Sequence, residues 1–237
     1  MAPTSMSFPS RKADDHPPTP RPDGDPFPVG GAGVALTCAV CGRSHYGRGP
    51  LCFCCRTVAD QLRLPLVPVV TQCEYRVGGR VHHRLRAYKD GSSAEVRAAC
   101  RRVLAGGLTR WVARRGSAWF DYQGGLLVVT TVPSSRRTGE PPVAGLVAEV
   151  PGLAERHLPL LVRGRAEIGH LRAHREAFTT APGVDRSGLA GLAVVVVDDT
   201  TTTGASVQSA AAALRLAGAR VVGGLAIGRA LPGCTPL

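Results

Sequence analysis

Thirteen residues near the C-terminus constrain this chain more than any other stretch: Val194-Val195-Val196-Val197-Asp198-Asp199-Thr200-Thr201-Thr202-Thr203-Gly204-Ala205-Ser206. Four consecutive valines, with Gly191 before them and two acids after, predict a strand buried on both faces. Ser206 to Ala217 is alanine-rich and stops at Gly218, which predicts a helix. The unit is therefore strand, acidic pair, hydroxyl-rich loop, helix N-terminus. Unpaired N–H groups and the positive end of the helix dipole attract a phosphate there, and Gly204 lets the backbone come close to it. Thr202, Thr203 and Ser206 add hydroxyl donors. A phosphate has no use for acids, so Asp198 and Asp199 point to something else. Adjacent carboxylates at a strand end accept hydrogen bonds from vicinal sugar hydroxyls or sit near Mg²⁺.

The C-terminal half alternates in the same way. Strands are expected at Leu126–Val132, Leu158–Val162, Ala177–Thr180 and Arg220–Ile227, with a helix at Pro141–Val150. Such alternation implies a parallel sheet with right-handed crossovers, and ligands bind outside the carboxyl ends of such strands. The loops at 133–139 and 164–175 would then join the acidic motif at one end of the sheet. Upstream, Gly78-Gly79 between two β-type runs predicts a hairpin. A helical stretch follows from about Ser92 to Arg115, with Gly106-Gly107 as a candidate break. Its remaining face is rich in arginine, which suits either solvent or nucleic acid.

Cys38-x2-Cys41, ten residues, then Cys52-x2-Cys55 is the spacing of two knuckles around one tetrahedral Zn²⁺. Four protein ligands would close the site, making it structural. Cys54 is an alternative ligand, and His45 a weaker one. Eight cysteines in a chain without a hydrophobic signal core argue for metal ligation or free thiols rather than disulfides, and place the chain in the cytoplasm. No apolar run is long enough to span a bilayer, which needs about 18–20 residues. A formal charge of +12, nearly all from arginine, fits an acidic partner such as nucleic acid or a polyphosphate; arginine-favouring codon usage fits equally. Residues 1–33 are proline-rich and poor in large apolar side chains, and read as a disordered leader.

The segment 194–206 resembles, at every position, the phosphoribosyl-pyrophosphate (PRPP) signature of type I phosphoribosyltransferases. The order of features resembles the competence-associated ComF family over roughly residues 36 to 230. The cysteine pairs match that family's zinc knuckle, Arg86-Ala87-Tyr88-Lys89 its Leu-Lys-Tyr-Lys-Gly-like turn, and Val132-Pro133-Ser134-Ser135-Arg136-Arg137 its Val-Pro loop. Leu171 to Phe178 resembles its Arg-x-x-Asn-x-x-x-Ala-Phe segment, with His174 near the Asn. The chain departs from the family where Arg137-Thr138-Gly139-Glu140-Pro141-Pro142 replaces Arg-Gly-Phe-Asn-Gln.

The resemblance implies an α/β, type I phosphoribosyltransferase-like parallel sheet with flanking helices, plus a small N-terminal zinc knuckle. Expected divisions are the leader at 1–33, the knuckle at 34–60, hairpin and basic helix at 61–118, and the phosphoribosyltransferase-like domain at 119–232. Asp198 and Asp199 would hold the ribose hydroxyls directly or through metal-bound water. Thr200, Thr201, Thr202, Thr203, Gly204, Ala205 and Ser206 would cradle the 5-phosphate, while Ser134, Ser135, Arg136 and Arg137 receive pyrophosphate. Arg165, Arg172 or Arg175 would close over the site from a mobile loop. Implied cofactors are Mg²⁺ with PRPP and structural Zn²⁺. The implied function is phosphoribosyl transfer to a nitrogen acceptor. The alternatives are a non-catalytic PRPP or nucleotide sensor, and an adaptor in DNA uptake or repair that binds single-stranded DNA or DNA-uptake proteins.

Overall fold

The computed structural model describes residues 35–115, 127–134 and 141–231. Two short strands, Leu36–Thr37 (β1) and Ser44–His45 (β2), pair antiparallel, and the helix Phe53–Leu62 (α1) follows. Next come the strand Val69–Tyr75 (β3) and the helices Arg80–Asp90 (α2) and Ala94–Arg115 (α3). Leu127–Thr131 (β4) leads to the short helices Pro142–Val147 (α4) and Pro151–Ala154 (α5). Leu161–Arg163 (β5), Phe178–Thr180 (β6) and the turn of helix Arg186–Leu189 (α6) precede the acidic strand Ala193–Thr201 (β7). Helix Ala205–Leu216 (α7) and strand Arg220–Ala230 (β8) complete the described chain.

The main sheet is parallel throughout, in the order β3-β8-β7-β4. As the valine run predicts, β7 lies inside it and is buried on both faces. Val195 and Val197 face a core shared with α2, α3, α4 and α5, whereas Val194 and Val196 face the layer containing α7. Burying each such side chain contributes about 1.5–3 kcal/mol relative to exposure. A parallel pair with helices on both sides accounts for the continuous apolar run.

Three expectations need correction. The hairpin at Gly78-Gly79 is instead a strand-to-helix junction: β3 precedes it, and Gly79 is the N-cap of α2. Val81, Leu85 and Tyr88 stand at i, i+4, i+7 and bury against the sheet, so the helical period wins over a three-residue β-type run. Strand β3 pairs with β8, and α2 and α3 share the core of β4, β7 and β8, so residues 69–115 belong to the same sheet and core as 127–230. The Gly106-Gly107 pair does not break α3. A Cβ at Gly107 would meet only the amide end of the Gln72 side chain, with Nε2 at 2.7 Å. Finally, the strand expected at 158–162 meets the parallel sheet only at its start, where His157 bridges Val129 of β4 and Leu158 N–H donates to the Val129 carbonyl at 2.8 Å; Leu161–Arg163 then pairs antiparallel with Phe178–Thr180, as β5–β6. The leader and the start of the 119–232 division, up to residue 126, lie outside the described residues.

Candidate functional site

The carboxyl ends of the parallel strands open into a cleft of about 810 Å³. Strand β7 delivers Asp198, Asp199 and Thr200 to it, α7 delivers Ser206, and the segment after β4 delivers Ser134. Of the residues expected to receive pyrophosphate, Ser135, Arg136 and Arg137 lie outside the described residues, as does Glu140.

Asp199 is buried and thoroughly engaged. Lys89 Nζ lies 2.6 Å from its Oδ2, the Tyr88 hydroxyl donates to the same oxygen, and Thr200 Oγ1 donates to Oδ1 at 3.1 Å. Asp198 is half-buried, with Oδ1 accepting from the Asp199 N–H at 2.9 Å. Burial, then the neighbouring Asp199 charge, push its carboxyl up to about 8, against the pull of Lys89. The two acids therefore differ in kind. Asp199 is an ion-paired anchor, and Asp198 is an under-compensated carboxyl that gains from an approaching cation or hydroxyl donor. Its hard oxygens fit a magnesium ion arriving with a phosphate ligand, which would displace the proton that burial holds there.

The hydroxyl-rich loop divides between two sides. Thr200 and Ser206 face the cleft, while Thr201, Thr202, Thr203 and Gly204 line a small pocket shared with the cysteine knuckle and Arg229. Ala205 is buried among Val58, Leu62, Ala173 and Ala212. Gly204, at φ 82°, is the left-handed N-cap of α7, a conformation costly for any residue with a Cβ. Ala205 N–H donates to Thr203 Oγ1 at 3.4 Å, and the following N–H groups of the first turn have no intrahelical acceptor.

The sequence places Tyr88 and Lys89 in a motif but gives them no role, and leaves Arg163 unmarked. Tyr88 and Lys89 lie 111 and 110 residues before Asp199 (199 − 88 and 199 − 89), and only the fold brings them to it. Arg163 on β5 lines the cleft. Its guanidinium lies 5.4 Å from the Phe178 ring centroid, and its Nη1, shielded from solvent, has no hydrogen-bond partner among the described residues. Tyr75 stacks on His82 at 6.0 Å, and both also line the cleft. The tyrosine and lysine were visible as part of a turn-like segment; nothing in the sequence singled out Arg163.

The 164–175 loop is tied down. Arg165 pairs with Glu176, and Arg175 donates to the carbonyls of Leu62 and Arg63 at the end of α1, the latter at 3.0 Å. Arginines of α3 are likewise engaged: Arg101 bonds Glu149 at 2.6 Å and Arg97 bonds the Gly91 carbonyl at 2.8 Å.

Cys38, Cys41, Cys52 and Cys55 bring their sulfurs within 4.8 Å of one another, and Cys41 and Cys52 stand 3.7 Å apart. Tetrahedral coordination at about 2.3 Å requires sulfur separations of about 3.8 Å. Backbone pairing of β1 with β2, and a turn in which Gly42 N–H donates to the Cys38 carbonyl at 2.9 Å, fix the first pair; the start of α1 fixes the second. Cys54 lies outside the cluster. A hydrogen bond from Cys55 holds the Cys41 thiol down at about 5, and the same bond, then burial, pushes Cys55 up. Burial pushes Cys52 up as well. Four thiolates cannot share this space without a cation, and the donor set fits a closed, structural zinc site.

No protein-family model and no curated protein matches the sequence. Among solved structures, the chain is similar to adenine phosphoribosyltransferase from Leishmania tarentolae, with 12% identity, 67% of this chain and 91% of that chain covered, and a TM-score of 0.34. It is similar to adenine phosphoribosyltransferase from Leishmania donovani at the same identity and TM-score, covering 70% of this chain and 90% of that one. At that overlap the functional reading rests on the cleft's own residues. Among the described residues, no helix is long and apolar enough to cross a membrane.

Proposed function

We propose that the cleft binds PRPP, or a closely related phosphorylated ribose, together with Mg²⁺, and that the chain is a ComF-type phosphoribosyltransferase. The observation that carries this reading is the placement of Asp198, Asp199, Thr200 and Ser206 at one strand–helix junction, at the carboxyl end of a parallel sheet. The α7 N-terminus and Ser206 hold the 5-phosphate. Asp198 accepts from ribose hydroxyls, and Asp199, locked by Tyr88 and Lys89, fixes the backbone from which Asp198 projects. Ser134 and Arg163, which both line the cleft, receive the pyrophosphate.

In the transfer, the bond between ribose C1 and the pyrophosphate oxygen breaks and a bond from C1 to the acceptor nitrogen forms. The electron pair leaves with pyrophosphate, and the proton lost by the nitrogen passes to the departing pyrophosphate. When bound, Mg²⁺ supplies charge neutralisation for the leaving group. Arg163 adds a fixed positive charge where negative charge accumulates, in a wall that shields its Nη1 from water.

A second reading, a PRPP sensor without turnover, is favoured by one observation. Asp199 is saturated by three donors, so it cannot serve as a base without breaking them. Pyrophosphate release over a panel of nitrogen bases separates the two. Release that requires both a base and Asp198 supports transfer. Tight PRPP binding with no release over the whole panel supports the sensor.

A further inference from the structure

Helix α1 grows directly out of the cysteine knuckle, with Cys52 as its N-cap and Cys55 in its first turn. Its far end reaches the substrate side. Gln61 uses both ends of its amide: Nε2 donates to the Leu171 carbonyl at 2.8 Å, and Oε1 accepts from the Ala173 N–H at 2.7 Å. The strap 170–175 that it grips is in turn joined to the phosphate loop. Thr203 Oγ1 donates to the His170 carbonyl, and His174 N–H donates to Ser209 on α7 at 3.0 Å. Ala173 of the strap, Ala205 of α7, and Val58 and Leu62 of α1 form one small buried cluster.

The end of α1 bears the mark of this contact. Arg63 closes it at φ 48°, the one non-glycine residue at positive φ among the described residues. A left-handed residue with a Cβ costs about 1–2 kcal/mol. Arg175 offsets that cost by donating to the two carbonyls there, as a cation at a helix C-terminus.

We infer that Gln61 is a positioning residue for the phosphate-binding loop, and that it couples the state of the four-cysteine centre to ligand affinity in the cleft. The metal holds the first turn of α1. Gln61 and Arg175 pass that constraint to residues 171–175, and Thr203 passes it to the loop from Thr200 to Ser206. A knuckle whose role stopped at its own folding would need no amide clamp at the opposite end of its helix. The inference rests on the phosphoribosyl reading for the identity of the ligand, but not for the clamp.

Two variants test it. Gln61→Met keeps the stem and removes both hydrogen bonds; Gln61→Glu keeps the acceptor for Ala173 N–H and loses the donor to Leu171. The readouts are zinc content, amide exchange, and affinity for ribose 5-phosphate. The expected result is full zinc content in both variants, with faster exchange over 171–174 and 203–206. Affinity should fall about tenfold in Gln61→Met, the equivalent of about one net hydrogen bond, and at least as far in Gln61→Glu, where a carboxylate oxygen faces the Leu171 carbonyl. Wild-type exchange and affinity in Gln61→Met overturn the inference, as does an affinity in the unsubstituted protein that stays the same when its zinc is removed. If the unsubstituted protein binds no ribose 5-phosphate, the functional reading fails, and exchange over 171–174 still decides the clamp.

Discussion

Lys89→Met is the sharpest perturbation of the acidic pair. It preserves the aliphatic stem and removes the ammonium 2.6 Å from Asp199. Stripping one partner from a fully buried ion pair costs about 3–5 kcal/mol. Here Lys89 is 28% exposed, and Asp199 keeps its bonds from Tyr88 and Thr200. Solvent screening and those remaining donors reduce the expected loss to about 1–2 kcal/mol. In a chain of 237 residues, with about 2–4 °C lost per kcal/mol, Tm should fall by about 2–8 °C. The assay is thermal unfolding of the parent, Lys89→Met, Asp199→Asn and the double variant. The cycle should give a coupling energy of about 1 kcal/mol or more, because each single variant strands the other's charge. Additivity within about 0.5 kcal/mol would refute the claim that Lys89 locks Asp199.

Three further outcomes follow from the same geometry. Chelation of the four-cysteine centre should release one zinc per chain and lower Tm, since so small a segment has little core without its metal; an unchanged melt after complete zinc release would contradict this. The raised carboxyl of Asp198 has a definite sign: the folded state holds its proton more tightly than the unfolded chain. Its contribution is therefore fully present below about pH 4 and lost as pH rises towards about 8. Melts of Asp198→Asn should lack that decline over pH 5–8, and a parallel decline would place its origin elsewhere. Arg163→Gln should weaken inorganic pyrophosphate binding at least tenfold while sparing ribose 5-phosphate, read by calorimetry; equal losses for both ligands would remove Arg163 from the leaving-group end.

The β7–α7 unit was legible because its signals are local. Four valines can only be satisfied inside a two-sided layer, and Gly204 marks the one left-handed position at the helix start. The four-cysteine cluster is legible for the same reason, since ligand spacing is a property of adjacent residues. Helix α2 was misread because Val81-His82-His83 scans as strand, and the i, i+4, i+7 positions matter only once a sheet exists to bury them. The division of labour between Asp198 and Asp199 was beyond reach. It depends on Lys89 and Tyr88, which arrive from a helix on another part of the chain. Gln61 is likewise an ordinary exposed helix residue until residues 171–173 are laid against it. In the sequence the arginines at 165 and 175 read as a closing loop; Arg175 instead fastens its segment to the α1 carbonyls, while Arg165 makes an exposed pair with Glu176.

The most direct test of the central claim is calorimetric titration of PRPP with Mg²⁺ into the zinc-loaded protein and into the double variant Asp198→Asn, Asp199→Asn. The account predicts saturable one-to-one binding that requires Mg²⁺ and falls by at least two orders of magnitude in the variant. No heat of binding in the parent protein, or equal affinity in the two, would contradict it.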